Sequence, residues 1–252
     1  MKLKKTDVIK LIQISDCHLG SKENFVSNGI NTYDSLMRVL KEVKKNFEPT
    51  LLIVTGDISA SGTKMSYELF SDMMDKESLP YRWLPGNHDD IKLMNSTISQ
   101  KFIRAEEQKN WVVISLISSS LESDGGFLCK NEIDKLEFLL KKYKERYILL
   151  FVHHRPTSIN SKWLDKHRIT NNPKLKQILA RYPNVKGIFT GHVHQERTTY
   201  WGNLIVYSTP STCYQFVKDI DNFEISSDGP GYRWINLRSD GVMATGVNYL
   251  ES

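Results

Sequence analysis

The sequence predicts an α/β protein whose helices cover sheet faces. Short apolar runs alternate with longer amphipathic stretches over the first two thirds of the chain. The polar residues best suited to chemistry fall just after the apolar runs, and the composition, 40% hydrophobic and 25% charged, is that of an ordinary globular protein. Residues 8–14 read as a first strand, and 32–47 as a helix in which Leu36, Val39, Leu40 and Val43 recur at helical spacing. Residues 51–55 are continuously apolar, the mark of a strand buried on both faces. A helix is expected over 65–74, and strands over 81–84 and 111–117. The 132–143 segment puts Ile133, Leu136, Leu139 and Leu140 on one face and lysines on the other, again a helix. Strands follow at 147–152, 185–190 and 204–207, and 232–237 with 242–249 form an antiparallel pair around Ser239-Asp240-Gly241.

At 252 residues the chain can bury its own core, and it is expected to form one domain over residues 1–252. The 34 basic and 29 acidic residues leave a net charge of +5, which favours an anionic small molecule and is too weak to indicate a nucleic-acid partner. Cys17, Cys129 and Cys213 are too few and scattered for a disulfide framework, which suits a reducing compartment. The stretch over 8–14 is interrupted by Lys10 and Gln13 and runs straight into polar residues, so it is not expected to be a leader. No apolar run approaches the ~20 residues of a membrane span, and a cytoplasmic location is expected.

Five strand ends carry the chemistry. They read Ser15-Asp16-Cys17-His18, Gly56-Asp57, Pro85-Gly86-Asn87-His88-Asp89, His153-His154-Arg155-Pro156 and Gly191-His192-Val193-His194. Loops at the carboxyl ends of strands can converge on one crevice. Imidazoles, carboxylates and an amide oxygen without thiolates suit first-row divalent metals. Glycine before Asp57, Asn87 and His192 permits the tight turns that point those side chains back over the strand ends. Each piece alone is common, since Gly-Asp is an ordinary turn and most lone histidines are hydrogen-bonded core residues.

Together and in order, these pieces resemble the calcineurin-like metallophosphoesterases over the whole chain. Trp163-Leu164-Asp165-Lys166-His167, the 209–216 segment from Thr209 to Phe216 and Pro230-Gly231-Tyr232-Arg233 narrow the resemblance to the CpdA-type (class III) cyclic nucleotide phosphodiesterases. The resemblance implies a four-layer α/β/β/α sandwich and two divalent metals, iron, manganese or zinc. Asp16, His18 and His194 would hold the first metal, Asn87, His153 and His192 the second, and Asp57 would bridge them. It further implies hydrolysis of 3′,5′-cyclic AMP to 5′-AMP by a hydroxide between the metals. His88 would protonate the leaving oxygen and Asp89 would orient His88. Substrate contacts are expected from His18, Asp57, Asn87, His88, His153 and His194, with Arg155 leaning to a phosphate contact and His154 divided between phosphate and packing.

His167 is expected to be structural, and Cys17 to point away from the metals. Trp83, Trp111, Trp163 and Trp201 are read mainly as core, with none singled out as a base platform. Two rival functions remain. One keeps the metals and changes the substrate to another phosphodiester: a 2′,3′-cyclic nucleotide, a nucleic-acid end or a phospholipid headgroup. The other is a non-catalytic scaffold, which the filled set of seven ligand positions disfavours.

Overall fold

The computed structural model describes residues 8–120 and 123–251. One sheet comprises β1 (Ile9–Ile14), β4 (Leu51–Thr55), β5 (Tyr81–Leu84), β12 (Gly231–Leu237) and β13 (Met243–Tyr249), in the order β13-β12-β1-β4-β5. The other comprises β6 (Ala105–Gln108), β7 (Trp111–Leu116), β8 (Tyr147–Val152), β9 (Val185–Thr190), β10 (Arg197–Trp201) and β11 (Leu204–Ser208), in the order β10-β11-β9-β8-β7-β6. β1, β4 and β5 run parallel in the first sheet, with antiparallel pairing only on the β12 side; β7, β8, β9 and β11 run parallel in the second, with antiparallel strands at both edges. A two-stranded ribbon, β2 (Val26–Ser27) and β3 (Ile30–Asn31), precedes the first helix.

The two sheets pack face to face. Leu11, Ile53, Leu84 and Ile235 of the first meet Trp111, Leu149, Phe151 and Phe189 of the second in one buried cluster. On the outside of the first sheet lie α1 (Thr32–Asn46) and α2 (Lys64–Glu77), sharing a second cluster with Ile12, Val54 and Trp83. Outside the second lie α4 (Lys130–Lys142) and α6 (Asn172–Leu179), packed on Ile114, Leu150 and Ile188. The result is the four-layer sandwich, in which each sheet buries both faces.

Local rules explain the helix limits. The Asn31 side chain accepts the free amides of Tyr33 and Asp34 and starts α1, and its expected stripe, Leu36, Val39, Leu40 and Val43, is fully buried. Thr63 caps α2 in the same way, and α2 stops at Ser78 in a left-handed turn. The C-terminal pair forms as expected, with Gly241 at φ 85° in its turn and Arg238 donating its N–H to Val242 O across it. Two further helices, α3 (Ile91–Thr97) and the single turn α5 (Lys162–Asp165), lie in the connections after β5 and β8.

Candidate metal centre

All five motif-bearing segments leave the carboxyl ends of strands: Asp16 and His18 after β1, Asp57 after β4, Asn87 and His88 after β5, His153 and His154 after β8, His192 and His194 after β9. The first three strands belong to one sheet and the last two to the other, so the site sits where the sheets meet. The two edges are stitched together beneath it. Gln13 Nε2 donates to Thr55 Oγ1 (2.9 Å) and to Thr190 O (3.2 Å), and the His192 amide donates to both carboxylate oxygens of Asp16 (3.2 and 3.0 Å).

The chain is bent sharply where it turns these side chains inward. Asp16, His18, Asp57, His192 and His194 all lie in the left-handed region, at φ 55°, 45°, 49°, 68° and 46°. Non-glycine residues adopt it at a cost, and such residues gather at functional sites. Of the three glycines expected to permit the turns, only Gly56 has positive φ (95°). Gly86 serves instead by lacking a side chain, for a Cβ there would stand 2.1 Å from Asp57 Oδ1.

Two sets of donor atoms converge. His18 Nε2 and His194 Nε2 lie 3.1 Å apart, and Asp16 Oδ1 is 3.5 Å from His194 Nε2. Alongside, Asn87 Oδ1 is 3.0 Å from both His153 Nε2 and His192 Nδ1. Asp57 Oδ2 stands between the sets, 3.3 Å from His153 Nε2 and 3.9 Å from His18 Nε2, while its Oδ1 accepts the His88 amide at 2.9 Å. The tautomers follow from the outer contacts. His153 Nδ1 meets Thr55 O at 2.8 Å and His194 Nδ1 meets Tyr214 O at 2.7 Å; carbonyls only accept, so each Nδ1 carries a proton and each Nε2 is the ring nitrogen turned inward.

The electrostatics suit a cation. Burial pushes the imidazoles of His18, to about 4, and of His192, well below its usual range, so both stay neutral. Burial also opposes charge on Asp57 and His153. Their mutual attraction prevails, holding the Asp57 carboxyl well below the usual carboxylate range and raising His153 to about 9. Inward-facing imidazole nitrogens, two buried carboxylates and an amide oxygen form a donor set that a divalent cation fits, once the proton shared by Asp57 and His153 is released. Within each of the groups Asp16–His18–His194 and Asp16–Asp57–His153, the ligand atoms lie within 4.8 Å of one another.

The structure brings all seven expected ligands together and revises three neighbours. Asp89 does not orient the His88 ring. Its carboxylate accepts the amides of Ile58, Ser59 and Gly86 and the Tyr67 hydroxyl, bracing the loops that carry Asp57 and Asn87. The His88 ring is held by Ala60 O, 2.9 Å from its Nδ1. Burial and the Asp57 charge push Asp89 up to about 6, so it is ionised at neutral pH and accepts all four donors.

Arg155 does not reach the cleft. It is 2% exposed and its Nη2 donates to Thr157 and Thr199 behind His192 and Val193, because the chain turns inward after His154. His154 is the packing residue of its two readings. Its ring nitrogens contact Ser118 Oγ (2.8 Å) and Asp124 O (3.1 Å), leaving neither for phosphate or metal.

His167, expected to be structural, lines the cleft, its ring 5.6 Å from that of His192. Cys17 points away as expected, buried among α1 and α2 residues. Trp83 and Trp111 are core, whereas Trp163 lines the cleft. The backbone acceptors Thr55 O, Ala60 O and Tyr214 O carry no side-chain signal. Tyr67, which tethers Asp89, could have been found only from its place on α2.

Comparison with known proteins agrees with this geometry. The calcineurin-like phosphoesterase family model matches residues 9–196. The chain is 36% identical over 249 residues to the 3′,5′-cyclic adenosine monophosphate phosphodiesterase CpdA of Haemophilus influenzae, covering 97% of this chain and 91% of that protein. It is 34% identical over 243 residues to a 3′,5′-cyclic-nucleotide phosphodiesterase of Nostoc sp., covering 95% and 91%. A dimetal phosphatase from Danio rerio shares the fold, with a TM-score of 0.67 at 13% identity, covering 95% of this chain and 99% of that one. With its ligand atoms gathered at the meeting of two sheets and its sequence matched along nearly its full length, this chain belongs to the calcineurin-like phosphoesterase family.

Proposed function

We propose that the protein hydrolyses 3′,5′-cyclic AMP to 5′-AMP, using two divalent cations held by Asp16, His18, His194 and Asp57 on one side and by Asp57, Asn87, His153 and His192 on the other. The observation that carries the reading is the single Asp57 oxygen standing between two sets of inward-facing donor atoms. The names of the relatives supply the substrate. When bound, the cations supply Lewis acidity and lower the pKa of water enough to give a nucleophile near neutral pH.

The chain's own groups do the rest. Asp57 Oδ1, tied to the His88 amide, keeps Oδ2 aimed at both sets. With Nδ1–H donated to Ala60 O, the His88 ring lines the cleft and, when protonated, offers Nε2–H to the departing 3′-oxygen. The P–O3′ bond breaks as water oxygen bonds to phosphorus, the His88 proton ends on the 3′-hydroxyl, and the proton lost by the water passes to solvent, from which His88 is reprotonated. A cytoplasmic setting suits the three free thiols. Among the described residues no helix is long and apolar enough to cross a membrane.

The test is metal content together with hydrolysis of cyclic AMP, cyclic GMP, 2′,3′-cyclic AMP and a bis-aryl phosphodiester. Metal-dependent turnover of cyclic AMP is expected. Turnover of the bis-aryl ester alone would leave the enzyme class and remove the substrate; no metal and no turnover would favour the scaffold.

A further inference from the structure

The cleft has two chemically different ends. Its floor is the donor set around Asp57 and Asn87, and its outer wall is aromatic: Trp163 from α5, with Phe216 and Phe223 from the segment after β11. The three rings touch one another, with centroids 4.8 Å apart for Trp163–Phe216 and 5.5 Å for Phe223 against each of the others. Phe216 in turn stacks on His194, 4.3 Å away and 19° from parallel, so the aromatic wall rises directly from the metal floor.

Three details separate this wall from ordinary core. Phe223 is 56% exposed, although it closes an otherwise buried cluster at the mouth of the cleft. The loop that carries it is pinned: Ser161 Oγ donates to Ile220 O at 2.6 Å and the Lys162 amide donates to Asp221 Oδ1 at 3.1 Å. Trp163 stands edge to face with both phenyl rings, at 76° to Phe216 and 77° to Phe223, and so braces the exposed ring from the side. The cavity holds about 240 Å³, room for one small ligand. An occupant that fits both ends is anionic at one and flat and apolar at the other.

We infer that the exposed Phe223 ring, backed by Trp163, is the platform on which the substrate's nucleobase stacks. The inference rests on the cyclic-nucleotide reading above and adds where the base is held. Stacking is tolerant of base identity, so the platform selects nucleotides over baseless phosphodiesters.

Kinetics of metal-loaded Phe223→Ala and Trp163→Phe test it, with inorganic phosphate as the baseless competitor. Phe223→Ala is expected to raise KM for cyclic AMP about tenfold with kcat within about twofold, and Trp163→Phe to raise it several-fold. The Ki of inorganic phosphate should stay at the wild-type value in both. KM within about twofold of wild type in both variants would overturn the platform while leaving the phosphodiesterase reading intact. A parallel rise in the phosphate Ki would also overturn it, since the metal floor would then be what had changed. Wild-type protein inert toward every cyclic nucleotide would remove the substrate reading itself.

Discussion

Replacing Gly86 by alanine adds one carbon where the β5 loop passes closest to Asp57. The new Cβ would stand 2.1 Å from Asp57 Oδ1 and 2.5 Å from its amide nitrogen. Opening the first contact to the 3.4 Å at which ordinary packing begins requires a displacement of about 1.3 Å. The displaced group is the carboxylate that faces both donor sets, and the neighbouring Asn87 moves with the other side of the contact. Misplacement of about 1 Å costs on the order of 10²-fold in rate, and overpacking a buried site costs about 1–3 kcal/mol in stability. Gly86→Ala is therefore expected to lose at least about 100-fold in phosphodiester turnover, to bind less metal, and to unfold at lower urea. Gly125→Ala is the control, because the nearest atom to its added Cβ is the flexible Ser123 hydroxyl at 3.4 Å. Activity of Gly86→Ala within about threefold of wild type, at unchanged metal content, would refute the reasoning.

His88→Ala should keep its metal and lose about 10²–10⁴-fold in kcat, least for substrates with acidic leaving groups; full turnover of cyclic AMP by the metal-loaded variant would remove the acid role. Chelation should abolish hydrolysis and lower the unfolding midpoint, both restored by added manganese, as activity assays and thermal unfolding would show. Arg155→Met should leave KM and kcat for phosphodiesters unchanged, since the guanidinium lies behind the cleft. Burial, then the neighbouring His153, pushes His154 down to about 3, so below pH 6.5 the unfolded chain takes up a proton there that the folded chain refuses. Wild type should therefore lose about 2 kcal/mol relative to His154→Gln between pH 7 and pH 5 in urea titrations.

The α/β alternation was legible because the central strands are unbroken apolar runs and the long helices carry clean stripes; the four-layer sandwich came from the family resemblance. The edge strands of the second sheet were not legible. β6 (Ala-Glu-Glu-Gln) and β10 (Arg-Thr-Thr-Tyr-Trp) are half-solvated and carry no apolar signature, and α6 is barely two turns. The donor residues were legible because few chemistries need imidazole, carboxylate and carboxamide at the ends of five strands, and the family resemblance then sorted them into two expected sets. Their supports were not: adjacency in sequence suggested that Asp89 serves His88, yet on a sharply turning loop it braces the backbone of three other residues. A separate bend after β8 hides Arg155 from the cleft that His153, two residues earlier, faces.

The five left-handed residues bear on the scaffold reading from another direction. Each side chain with a Cβ held there costs about 1–2 kcal/mol, somewhat less for aspartate, and glycine would remove the cost outright. A chain serving only as a docking body would gain about 1–2 kcal/mol at each of these positions by relaxing it, at no loss to its surface. Asp16, His18, Asp57, His192 and His194 together hold a standing instability at the centre of the fold, one that glycine would relieve only by discarding the donor atom and that bound metal can offset while keeping it.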